Sequence, residues 1–105
     1  MNNSKQNILN AIRKKLKILA PNAKATLFGS RARDNSNVDS DWDILILLDK
    51  FKITSSDFDN ISYPLFELGW EIGEQFSIKL YTKHKWQKRS FTPFFKNVEK
   101  EGIAL

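Results

Sequence analysis

Three aspartates, Asp39, Asp41 and Asp43, stand at alternate positions and lead directly into the aliphatic run Ile44 to Leu48. An unpaired carboxylate beside an apolar core costs on the order of a few kcal/mol, so these acids need compensation. In a strand, side chains two apart share a face. Asp41 and Asp43 therefore project together, about 7 Å apart along the backbone, with Trp42, Ile44 and Ile46 opposite. Such a pair suits Mg²⁺, which takes oxygen ligands; two ions about 3.5 to 4 Å apart can bridge two carboxylates and the phosphates of a nucleotide. Asp39 shares their parity but lies in a polar stretch, and reads as a turn former or an outer group.

Just upstream, Gly29-Ser30 follows a short apolar segment. Glycine lets the backbone approach a ligand closely, and free N–H groups at a helix start attract phosphate oxygens. Ser30 is expected to cap a short helix and offers a hydroxyl. Arg31 or Arg33 could clamp a phosphate oxygen with a planar fork that lysine cannot copy. Each element recurs by chance; the series strand, Gly-Ser, ten residues, D-x-D, aliphatic strand is fairly specific.

The elements that must position these groups follow from periodicity. Ile8, Ile12, Leu16 and Leu19 predict an amphipathic helix over residues 4 to 19, closed by Pro21. Lys24 to Phe28 reads as a short strand, and Asp41 to Leu48 as a central strand apolar on both faces beyond Asp43. Thr54 to Asp57 offers caps for a helix carrying Phe58, Ile61, Leu65, Leu68 and Ile72 to about Gly73, which Pro64 should kink or divide. Gln75 to Thr82 alternates as a half-buried strand, Lys83 to Lys88 suggests a short helix, and Thr92-Pro93 opens a last helix ended by Gly102. The order predicts one α/β domain over residues 1–105, with a small sheet of at least three strands and helices packed against it. Trp42 and Trp70 are expected in the core; Trp86 is expected to anchor the terminal helix, and His84 to be a plain surface residue.

Composition bounds the rest. A chain of 105 residues can hold one core without staples, and the absence of cysteine removes disulfides and thiolate metal sites, which fits a reducing cytoplasm. No signal-peptide pattern or membrane-spanning run is present in the sequence. The net charge of +5 points to an anionic partner. Basic residues cluster at Arg13 to Lys17 and Lys79 to Arg89 and the acids between Asp34 and Glu74; the acid cluster and the lack of a recognition motif argue against nucleic acid.

The residues Gly29-Ser30-Arg31-Ala32-Arg33 and Asp39-Ser40-Asp41-Trp42-Asp43-Ile44 resemble the nucleotidyltransferase domain of the DNA polymerase beta superfamily, in particular its small stand-alone minimal nucleotidyltransferases. The resemblance implies that the sheet is mixed, and it implies a nucleoside triphosphate, expected to be ATP, bound through Mg²⁺, and transfer of a nucleoside monophosphate to an acceptor hydroxyl with release of pyrophosphate. It places Gly29 and Ser30 on the triphosphate and Asp41 and Asp43 on the metals. Two departures stand out: Asp34 occupies a position where the motif usually has glycine, and the later strand Phe76 to Leu80 has Ser77 or Lys79 where active members place a third carboxylate. Glu74, just before that strand, is the nearest acid in sequence. The resemblance also implies an alternative, a catalytically impaired nucleotide-binding protein paired in antitoxin fashion with a small helical HEPN-class partner. A further alternative needs no metal at all: Lys79 could neutralise the acid pair directly.

Overall fold

The computed structural model describes residues 4–105. Helix α1 (Lys5–Leu19) begins where Ser4 Oγ accepts the Asn7 N–H at 3.2 Å, and it buries Ile8, Leu9, Ile12 and Leu16. It leads into strand β1 (Lys24–Phe28), the single helical turn α2 (Ser30–Arg33), and strand β2 (Trp42–Leu48). The next helix is continuous but heterogeneous: α3 (Ser55–Asp57), a π turn (Phe58–Ser62) and α4 (Tyr63–Ile72). Pro64 has no N–H to donate into the preceding turn, and immediately before it the Tyr63 N–H reaches back five residues to the Phe58 carbonyl. The helix is thus divided at the proline by widening one turn. Gly73 at φ 76° ends it.

Strand β3 (Phe76–Thr82) follows, then α5 (Lys83–Gln87), α6 (Pro93–Glu101) and a two-residue strand β4 (Ile103–Ala104). The sheet has four strands in the order β3-β2-β1-β4. β2 runs parallel to β3 and antiparallel to β1, and β4 is antiparallel to β1, so the sheet is mixed with β2 inside it.

Period-two alternation gives each face of the sheet its own core. Ile44, Ile46 and Leu48, with Ala25 and Leu27, pack against α1 and the divided helix. Leu45 and Leu47 on the other face meet Trp86, Val98 and the rings of Phe94 and Phe95 from the two last helices. Trp86 is fully buried, and its Nε1 donates to Glu99 Oε1 at 2.9 Å, so it anchors α6 as its sequence context suggested. Trp42 is likewise core.

Trp70 is a correction. It is 62% exposed, because the buried positions of α4 are Leu65 and Gly69 and the next residue round the helix points away from the sheet. Trp70 instead meets Tyr63 edge-on at 6.0 Å and stacks with Phe66 at 6.5 Å on the outer side. Strand β4 is also additional to the expected elements. A two-residue strand carries no periodicity to read. It forms because Gly102, whose added Cβ would overlap the Thr26 side chain, lets the chain leave α6 close against β1.

Candidate functional site

The site forms where β1 ends and β2 begins, side by side. Asp43 is paired in register with Phe28 on β1 and with Ser77 on β3, and it shares the face of Leu45 and Leu47. β2 starts at Trp42, one residue later than the sequence suggests: the Trp42 N–H bonds the Gln75 carbonyl at 2.9 Å, while Asp41 has no ladder partner and is exposed. Asp41 is still close enough for its charge to act on Asp43.

Burial, and next the charge of Asp41, push the Asp43 carboxyl above its ordinary range, while Lys79 and Arg33 pull it the other way. Neither cation completes an ion pair there. Lys79 is level with Leu45, two positions along the strand, and Arg33 pairs with Glu101 at 3.3 Å. Among the described residues no hydrogen bond or ion pair reaches the Asp41 or Asp43 carboxylate. Lys79 therefore tempers the acid pair without neutralising it.

Gly29 lies directly against this carboxylate. Its φ is 75°, and a Cβ added there would overlap Asp43 Oδ2, so two independent constraints require glycine. The turn begins one residue earlier than a serine cap would place it. Gly29 is the N-cap, its carbonyl accepts the N–H groups of Ala32 at 3.1 Å and Arg33 at 3.2 Å, and Ser30 is the first helical residue. The expected capping by Ser30 is thereby corrected, and its hydroxyl is left without a partner among the described residues. The N–H groups of Ser30 and Arg31 open the turn and have no helical acceptor.

The two arginines have different occupations. The Arg31 guanidinium lies 4.5 Å from the Trp42 ring centroid, donates to the Ser40 carbonyl at 3.0 and 3.3 Å, and reaches Ser36 Oγ at 3.3 Å. It holds the loop that delivers Asp41, with its planar fork already engaged. Arg33 is exposed at the site's edge and acts on Asp43 through charge. Within the loop, Asn37 Oδ1 accepts the Asp39 N–H at 2.9 Å, so Asp39 belongs to a turn, as its neighbours suggested.

Asp34 has φ 60° and is the one non-glycine residue with positive φ among those described, at the very position where the motif usually has glycine. Aspartate tolerates this left-handed conformation better than most residues. Its carboxylate also takes Lys5 Nζ at 2.7 Å, tying the loop to α1.

Among the described residues no third acid joins the pair. Among the described residues no group of three or more His, Cys, Asp or Glu side chains is gathered for metal binding, and Glu74 is in the turn before β3, its N–H bonded to the Gly69 carbonyl at 2.8 Å. Ser77 stands beside Asp43 instead. The two carboxylates nevertheless fit a hard cation: one is half-buried, without a direct ion pair and crowded by a like charge, and Mg²⁺ is commonly held by one or two carboxylates plus substrate phosphates. The residue that spacing alone missed is Trp42 as a platform for Arg31, since a contact between loop and strand depends on a path that periodicity does not encode.

A mixed sheet, a glycine turn pressed on a strand carboxylate and a second acid one step before the strand define a class. The family described as nucleotidyltransferase domain matches residues 8–104, and the chain belongs to it. Membership supports a general nucleotidyl transfer function, and the family typically uses divalent metals. No curated relative matches the chain.

Proposed function

We propose that this protein transfers a nucleoside monophosphate from a Mg²⁺-bound nucleoside triphosphate, ATP in the first instance, to an acceptor hydroxyl. The observation that carries this reading is Asp43: a half-buried carboxylate with no protein cation paired to it, in contact with the glycine turn. Asp41 and Asp43 would hold the metal, and bound Mg²⁺ would supply charge neutralisation at the phosphates. Gly29 admits the triphosphate tail close to the backbone, and the Ser30 hydroxyl and the opening N–H groups of α2 donate to it. Arg33 adds positive charge at the rim, and Arg31 positions the Asp41 loop.

The acceptor oxygen bonds to the α-phosphorus as the bond from that phosphorus to the β-bridging oxygen breaks, and pyrophosphate leaves with the electron pair. Ser77 is no base, so the acceptor proton passes to solvent. Incubation with ATP labelled at the α-phosphate tests the proposal. Asp41→Asn and Asp43→Asn should each lower label transfer by at least about 100-fold with the fold unchanged by circular dichroism. Transfer that survives either change contradicts it.

A second reading keeps nucleotide binding and drops turnover, in partnership with a small helical protein of the HEPN class. Ser77 in place of an acid favours it, and so do the exposed rings of Tyr63 and Trp70, which flank the half-buried Phe66 and offer a helix-packing surface. Binding of Mg-ATP without labelled product, with association lost in Trp70→Asp, would select it.

A further inference from the structure

At the opposite end of the sheet from Asp41 and Asp43, the segment after β2, helix α5 and the turn that follows it line an open groove of about 1100 Å³. Its first lining residue, Asp49, follows the end of β2 and lies six residues beyond Asp43, roughly 20 Å of extended chain. Lys52, Lys85, Lys88 and Arg89 line it, and Phe51 and Phe91 stand at it 99% and 77% exposed. Lys50 also lines the groove but is paired to Asp57 at 2.9 Å, and Asp49 is the acid among the lining residues. Arg89 lies 5.0 Å from the Tyr81 ring centroid, which leaves its positive charge uncancelled. Lys52, Lys85, Lys88 and Arg89 thus stand at the far end of the sheet from Asp43, whereas Lys79 of the same basic cluster stays near the acids.

From this geometry we infer that the groove binds single-stranded nucleic acid, with lysine and arginine along the phosphates and the two phenylalanine rings stacked on bases. Sequence-tolerant single-strand sites combine those two features, a positive groove and exposed aromatic platforms. Protein interfaces, by contrast, are depleted in lysine. This inference does not rest on nucleotidyl transfer, because no groove residue belongs to the Asp41–Asp43 site.

Fluorescence anisotropy with labelled oligo(U) and oligo(dT) 12-mers, in EDTA so that the acid site takes no part, tests it. Binding is expected to weaken with salt at a log–log slope of about −2 to −3, the value for three or four phosphates neutralised on a single strand. Lys85→Glu with Lys88→Glu should weaken it more than 10-fold. Phe51→Ala with Phe91→Ala should weaken it at least 5-fold with the slope unchanged; both rings are exposed, so folding is spared. The control Lys14→Glu with Lys17→Glu, exposed cations on α1, should lose less than 3-fold. Equal losses in the control, displacement by poly-glutamate as effective as by unlabelled oligomer, or indifference to the phenylalanine changes would each overturn the proposal. Unchanged binding by Asp43→Asn keeps this result distinct from any failure of the transfer reaction.

Discussion

Asp43 is costly to the fold and useful to the chemistry. Its raised pKa means that the folded state holds the proton more tightly than the unfolded chain, so stability falls as pH rises from the unfolded value near 4 through the folded one. Above that window the ionised carboxylate is a standing penalty that a bound cation would relieve. Asp43→Asn should therefore raise the melting temperature in EDTA by up to a few degrees at neutral pH, a modest figure because solvent screens the group, while removing any stabilisation by Mg²⁺. Gly29→Ala acts in the other direction. It forces a Cβ into the left-handed region and against Asp43, and should cost about 2 kcal/mol in urea unfolding together with nucleotide binding. At Asp34 the backbone alone makes the prediction: Asp34→Gly should be at least as stable as the parent, and Asp34→Ala less stable than both by about 1 kcal/mol, since glycine relieves the positive φ and alanine does not. The exposed Lys5 pair is worth too little to reverse that order.

The divided helix shows how far local pattern carries at the scale of an element. Pro64 announces an irregularity, and one is there: the helix stays continuous but widens into a π turn over Phe58–Ser62, just before the proline. The first turn of that helix is fastened by Asp57. Its carboxylate accepts the Thr54 N–H at 2.8 Å and the Lys50 ammonium at 2.9 and 3.0 Å. The Thr54 N–H, followed by Lys50, holds the Asp57 carboxyl below its ordinary range. A depressed folded pKa contributes stability above the unfolded value near 4, and that contribution disappears as pH falls through the folded pKa. Urea unfolding between pH 7 and pH 2 should show it: Asp57→Asn is less stable than the parent at pH 7, and the gap closes in acid. An equal gap at every pH would exclude this account of the cap. Helices α1 and α6 were legible to within a residue because serine or threonine caps, proline and glycine mark their ends. Trp70 was not, since the amphipathic pattern does not say that Gly69 would take the core-facing position beside it.

Over the whole molecule, the strand parity that sets Asp43 apart from Ile44 also divides the core in two, one cluster on each face of the sheet. The parallel pairing of β2 with β3 starts both strands at the acid end and finishes both at the basic groove. Alternating residue types made the two faces readable, whereas Asp41 falls just outside the strand that carries Asp43. The groove was hidden because Phe51 and Phe91 are forty residues apart in sequence and no local pattern joins them. Chain ends and loop paths, such as β4 returning to β1, depend on long-range closure that no window of sequence contains.

The most direct measurement is calorimetric titration of the protein with ATP, with Mg²⁺ and with EDTA, repeated on Asp43→Asn. The carboxylate pair as cation site predicts binding that needs Mg²⁺ and is lost in the variant. Equal affinity in EDTA, or an unaltered isotherm for Asp43→Asn, would contradict it.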